Sequence, residues 1–442
     1  MNPKQPLELI SLVTTDLVAV TRGRAIPQAA LEIAAKRGCG WVPANSALHP
    51  LNAIAADNPW GSHGDLRLLP DLQSRVRVEI CADGISPPLD FIQGNLVETN
   101  GNPWPVCPRT LLQNELKRYQ DELGLSVTAA FEHEFTLLGL SRETQAFSLE
   151  AQRQAAVFAG YLMAALDEAG AEPEMFLPEY GEHQYEVTCR PTAGVKAADR
   201  AVIVREVTRE MARQCGLRSS FSPLLKTDGT SNGVHLHISL YDEQGRSVLY
   251  QPDADNNLAK LGAHWAAGVL HHLPALCALT APSVISWLRL KPHRWSTAYG
   301  CLGNRNREAA LRICPTTTLG EADPAAQFNL EYRPMDATAC PHLAMAAVLM
   351  AGRSGIAEQR PLSALSDQDP ANLSDTERKQ RGIRALPRDL ADALANLQMD
   401  SALCTELPRP LLDTLFALRS EELRLTQGLS DRELCERYAK LY

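Results

Sequence analysis

The sequence predicts an α+β protein of two unequal parts, and three observations predict it. Strand-like runs, β-branched and alternating in polarity, recur from "SLVTTDLVAVTRGRAIP" near the start to "FNLEYRP" far into the chain. From "CPRTLLQNELKRYQDELGL" onward the pattern becomes helix, strand, helix, strand, whereas the first segment holds one short helical stretch. Proline and glycine break the chain where this change occurs, which divides it into residues 1–105 and 106–442.

In the first part, "SLVTTDLVAVTRGRAIP" and "RVRVEICA" read as strands, and "QAALEIAAKRG" reads as a helix stopped by Gly38. In the second, charge-bearing strands are separated by long helices such as "QRQAAVFAGYLMAALDEAG" and "AADRAVIVREVTREMARQCG". The tail beyond about Pro370 is charged and helical in pattern and is expected to form a peripheral helical portion.

Composition narrows the function. The 442 residues are 45% hydrophobic and 21% charged, ordinary globular material. A net charge of −9 argues against a nucleic-acid partner, which needs a basic footprint. Eleven cysteines form no CxxC pair, no stretch reads as a leader, and no window reaches the roughly 18 apolar residues of a membrane span. Reduced thiols and a cytoplasmic location, with no membrane partner, are the expectation.

The chemistry concentrates in the second part. In "AAFEHEFTLL", Glu132 and Glu134 are two apart in a strand and therefore share a face. Two carboxylates facing one partly desolvated space stay ionised together only when something positive lies between them, such as a metal or arginines. A strand with one wet side would leave the same pattern, but the pattern recurs. "LPEYGEHQYEVTCRP" places Glu179 and Glu186 on either side of a Gly turn, "SNGVHLHISL" puts His235 and His237 on one face, and "FNLEYRP" does so with Glu331 and Arg333. Oxygen-rich donors with imidazole suit Mg²⁺ or Mn²⁺ and a phosphate substrate. Zinc is a poor fit, since no cysteine joins with ligand spacing. "GNRNREAALRI" adds Arg305, Arg307 and Arg312, and "WLRLKPHRW" adds Arg289 and Arg294; guanidinium forks suit carboxylate and phosphoryl oxygens.

Assembled in order, "DLVAVTRGRAIP", "GDLRLLPD", "CPRTLL", "FEHEFTLL", "EYGEHQYEVT", "SNGVHLHISL", "GNRNREAALRI" and "NLEYRPMDATACPHLAMAAVLMAG" resemble the landmarks of the glutamine synthetase superfamily over nearly the whole chain. The resemblance implies an N-terminal β-grasp domain and a catalytic domain with a curved antiparallel sheet. It also implies a homo-oligomer, a dodecamer of two stacked hexameric rings. Residue by residue it implies Glu134, Glu179 and Glu186 as ligands of one metal, and Glu132, His235 and Glu331 as ligands of a second, with two or three ions in all. His237 and Arg312 would meet ATP, Gly233, Arg289 and Arg333 would hold glutamate or its phosphorylated carboxylate, and Arg307 would stabilise the transferring phosphoryl group. The implied chemistry is phosphorylation of a carboxylate by ATP, followed by attack of an amine on the γ-glutamyl phosphate.

Departures from the family concern the amine and the nucleotide. The family's two ammonium-binding acids fall at Pro43 or Ala44 and at Trp295, none of which offers an oxygen acceptor to an ammonium ion. A primary monoamine with an apolar or aromatic tail, resting on Trp295 and Trp287, is therefore expected in place of ammonia. The alternatives are a polyamine acceptor, as in a γ-glutamylputrescine synthetase, then ammonia itself, then a non-catalytic structural ring. A polyamine would need an acid near its distal ammonium, which the flap sequence "SWLRLKPHRWSTAY" does not supply. Asn329 stands where the family often has an arginine on the nucleotide phosphates.

Overall fold

A computed structural model describes residues 7–294 and 296–442. The first sheet comprises β1 (Leu9–Thr15), β2 (Thr21–Pro27), β3 (Cys39–Trp41), β4 (Leu66–Val78) and β5 (Leu89–Glu98), in the order β2-β1-β5-β4-β3. Asp16 shapes the β1–β2 turn, its Oδ1 accepting from the amides of Val18 (3.0 Å) and Val20 (2.9 Å). Strands β1 and β5 run parallel, with Ser11 opposite Phe91, while the other pairs are antiparallel. The helix Leu31–Arg37 ends as expected at Gly38, whose φ of 60° suits a residue without a Cβ and whose N–H bonds back to Ala34.

The second sheet has ten strands: β6 (Ser126–Leu138), β7 (Pro173–Pro178), β8 (Gln184–Cys189), β9 (Thr192–Ala193), β10 (Arg218–Ser220), β11 (Val234–Tyr241), β12 (Tyr299–Asn304), β13 (Ala309–Ile313), β14 (Leu330–Tyr332) and β15 (Arg384–Ala385). Its order is β15-β12-β13-β14-β11-β6-β8-β7, with β9 and β10 also on β6. Pairing is antiparallel except between β12 and β13.

Strand β6 shows how the sequence chooses its faces. Val127, Ala129, Phe131, His133, Phe135 and Leu137 are buried on one side, and the residues between them, Glu132 and Glu134 included, are less buried on the other. Helices cover the buried side, Lys196–Gln214 lying on β6 and Lys260–Thr280 packing on Pro341–Ala357. That last contact is very close. A Cβ on Gly268 would lie 2.3 Å from the Ala351 carbonyl oxygen, and one on Gly352 would lie 2.0 Å from the Trp265 indole nitrogen. Trp265 itself is fully buried and donates to Tyr119 Oη at 2.9 Å. One apolar core runs from the first sheet through these helices, so the carboxylate-bearing face of β6 is backed by a rigid layer.

The helical tail is present as Asp375–Gln380, Leu390–Met399, Ser401–Glu406, Arg409–Thr426 and Asp431–Tyr438. All eleven cysteines are free thiols. Among the described residues, no helix is long and apolar enough to cross a membrane.

Candidate active site

Strand registry assembles the site. Glu132 faces His235 across β6–β11, Glu134 faces Glu186 across β6–β8, and His237 and Arg312 flank Glu331 across β11–β14–β13. Side chains far apart in sequence thus meet because five adjacent strands present the same face.

Glu132 lies between two imidazoles, with His235 Nδ1 at 2.9 Å and His237 Nε2 at 3.3 Å. Burial pushes its carboxyl up, but these imidazoles prevail and hold it well below the usual carboxylate range. Its neighbours have no such partners. Burial raises Glu134, which accepts from the Gly233 amide at 2.7 Å and from Gln184 Nε2 at 3.2 Å. Burial and then the charge of Glu134 push Glu179 to about 7. Burial and the charges of Glu132, Glu134 and Glu179 push Glu186 far higher. These carboxylates are crowded together, and the nearby charges of Arg289, Arg333 and Arg307 do not outweigh burial and their mutual repulsion.

That imbalance fits Mg²⁺ or Mn²⁺. The donors are carboxylate oxygens and imidazole nitrogens, and ligand atoms of Glu132, His237 and Glu331 lie within 4.8 Å of one another. Nε2 of His235 and Nε2 of His237 are both buried without a hydrogen-bond partner, and Nε2 of His237 lies 3.3 Å from Glu132 Oε2. The resemblance groups His235 with Glu132 and Glu331; the structure draws His237 into that group as well.

Glu331 is fully buried, and both Arg312 Nε and Arg333 Nη1 bond to it. Burial alone would raise its carboxyl, but Arg333, the two histidines and Arg312 hold it at about 2. Arg333 Nε also reaches the Arg307 carbonyl oxygen at 3.0 Å. Arg289 is likewise buried, donating to the carbonyls of Pro334 (3.1 Å) and Arg333 (3.2 Å), with Nε unpartnered. Gly233 passes so close that a Cβ there would lie 2.5 Å from Arg289 Nη2 and 3.0 Å from His235 Nε2. Arg307 is exposed, its side chain forms no hydrogen bond or ion pair among the described residues, and its charge reaches Glu179.

Beside this face a cavity of about 580 Å³ is lined by Thr128, Ala130, Glu132, His237, Tyr241 and Asn329, among others. His237 and Asn329 thus line this cavity beside Glu132. Trp287 belongs to the hydrophobic core and does not form a rim. Trp295 lies outside the described residues. Pro43 and Ala44 are buried in the short helix Pro43–Ala47.

Sequence reading overlooked four contributors. Gln184 bridges Glu134, the Ser231 carbonyl and Asn232; it precedes Glu186 by two, so strand alternation would have found it. Cys314 lies 3.6 Å from His237 Nδ1 and 3.8 Å from Glu331 Oε2. The acids Glu308 and Asp369 reach the flap from elsewhere in the chain. Asp369 Oδ2 lies 2.9 Å from His293 Nε2, and the Glu308 carbonyl accepts from Thr297 Oγ1 at 3.0 Å. No local pattern signals such contacts.

Comparison with known proteins identifies the family of the chain. The glutamine synthetase catalytic-domain family matches residues 105–438, and the glutamine synthetase N-terminal domain family matches residues 2–104. The chain belongs to the glutamine synthetase family. It is 35% identical to a gamma-glutamylpolyamine synthetase of Streptomyces coelicolor, over 98% of this chain and 93% of that one. It is 29% identical to a glutamate–methylamine ligase of Methyloversatilis universalis, over 76% and 77%. A crystal structure described as a novel glutamine synthase homolog superimposes over 100% of both chains with a TM-score of 0.93 and 61% identity.

Proposed function

We propose that the protein is an ATP-dependent ligase that joins the γ-carboxylate of glutamate to a primary amine through γ-glutamyl phosphate. The observation that carries this reading is the set of carboxylates on one sheet face, whose mutual repulsion the nearby arginines do not outweigh, beside a cavity of about 580 Å³. Glu132, Glu134, Glu179, Glu186, His235, His237 and Glu331 would hold divalent cations, which when bound neutralise charge on the phosphates. Arg289 and Arg333, fixed by their backbone bonds, would orient the glutamate carboxylate. Arg307, exposed and uncommitted, would follow the phosphoryl group as its charge redistributes. Phosphorylation makes the carboxylate oxygen a leaving group, and the amine then attacks the carbonyl carbon and releases phosphate.

The acceptor is a monoamine with an apolar or aromatic tail. Pro43, Ala44 and Trp295 supply no acid for ammonium. Support also comes from Tyr180, which follows Glu179 and packs edge-on against Phe147 with ring centroids 4.7 Å apart, both rings about half exposed. A polyamine is the second reading, favoured by the carboxyl groups of Asp369 and Glu308 beside His293 of the flap, where a distal ammonium could find a carboxylate. The relative named for polyamines is consistent with it. Assembly into two stacked hexameric rings is part of the same proposal. Phosphate release from ATP and glutamate across ammonia, monoamines and diamines tests the reading: amines should far exceed ammonia.

A further inference from the structure

We propose that Asn329 acts through His237: it fixes the tautomer of that ring so that Nε2 is offered to a divalent cation shared with Glu132 and Glu331. The inference rests on the metal-dependent reading above. Asn329 immediately precedes β14, and its Nδ2 donates to the Gln327 carbonyl at 3.0 Å. A carbonyl only accepts, so the amide nitrogen must face Gln327 and the orientation of the amide follows. Gln327 is itself anchored, its side chain bonding to Thr317 N (3.0 Å), Thr317 O (2.9 Å) and Asp323 O (3.0 Å).

Asn329 Oδ1 therefore faces His237, 2.9 Å from Nδ1. An amide oxygen cannot donate, so the proton of that bond sits on Nδ1. Cys314 Sγ, 3.6 Å from the same nitrogen, is a weaker acceptor on the same side. In a neutral imidazole the lone pair is then on Nε2. That atom is buried without a hydrogen-bond partner and belongs to the group whose ligand atoms lie within 4.8 Å. Both polar atoms of Asn329 are thus engaged within the protein, and the residue is a positioning residue for His237, a role distinct from direct contact with the nucleotide.

The test is a Mn²⁺ titration of the full chain without nucleotide, followed by electron paramagnetic resonance of the free ion. Asn329→Leu should weaken one Mn²⁺ site by about 10- to 100-fold, whereas Asn329→Asp, which keeps an acceptor of the same shape, should stay within about threefold of the parent. Equal affinity in all three proteins, or an equal loss in both variants, overturns the proposal. A parent protein that binds no Mn²⁺ would instead overturn the metal-dependent function itself. A second measurement does not depend on how Asn329→Leu folds: Mn²⁺-loaded His235→Asn protein should keep the ¹⁴N modulation of a coordinated imidazole. Its loss also overturns the proposal.

Discussion

Glu134 is the residue at which charge and function conflict most directly. Its carboxylate is buried opposite Glu186 and receives its hydrogen bonds from a backbone amide and a neutral side-chain amide. Glu134→Gln would keep the shape and remove one of the repelling charges. We expect turnover to fall by at least about 100-fold, since charge neutralisation at the phosphates is lost, while the thermal midpoint stays level or rises. Steady-state kinetics and calorimetry on the same preparation check both halves, and retained activity would remove Glu134 from the metal set. The face on which this residue lies was legible in the sequence because a strand has only two faces. The same alternation sends His133 the other way, into the core, where burial and Arg205 push it down to about 3. Alternation pairs Arg333 with Glu331, two residues before it, but could not reveal that Arg312 joins them, since β13 and β14 become neighbours only in the folded sheet.

At the scale of elements, three helices are fastened at Asp199. Arg109 from Pro108–Leu123 donates to both carboxylate oxygens, at 2.9 and 2.8 Å, and His342 from Pro341–Ala357 lies 2.8 Å away. Burial pushes Asp199 up, yet these partners prevail and hold it at about 2, below the usual 3.8. A carboxyl depressed on folding adds stability that is complete above its unfolded pKa and is lost as pH falls through the folded value. Thermal midpoints measured from pH 5 down to pH 2 should therefore drop steeply between about 3.8 and 2. Asn at position 199 should flatten this part of the drop and lower the midpoint near neutral pH, because buried Arg109 would lose one of its two carboxylate partners and keep only Asp71. A parallel acid limb in both proteins would contradict this assignment.

The flap is the second element on which a prediction turns. Its sequence contains no acid, and only the fold brings Glu308 and Asp369 to it, which is why the acceptor was less legible than the metal face. Where a diamine is the acceptor, Glu308→Gln should raise its KM about tenfold and leave that of an apolar monoamine unchanged. Equal effects on both substrates would remove Glu308 from acceptor selection.

For the whole molecule, the order of elements, the helical tail and the site-bearing strands followed from periodicity and turn residues, because each is a local property of the chain. The long helix expected around residues 152–170 is instead broken at Ala155 into Leu149–Gln154 and Ala156–Glu168. Both His235 and His237 are presented by β11 to Glu132, a convergence that the i, i+2 spacing of the histidines anticipates only in part. The central claim is that this fold couples ATP to the γ-glutamylation of an amine larger than ammonia. The most direct measurement is kcat/KM for phosphate release at saturating ATP and glutamate, with ammonia compared against apolar monoamines and diamines on the unmodified protein. The account predicts that an amine exceeds ammonia by at least about tenfold, which corresponds to about 1.4 kcal/mol of transition-state binding from the tail. Ammonia equal to or better than every amine would contradict it.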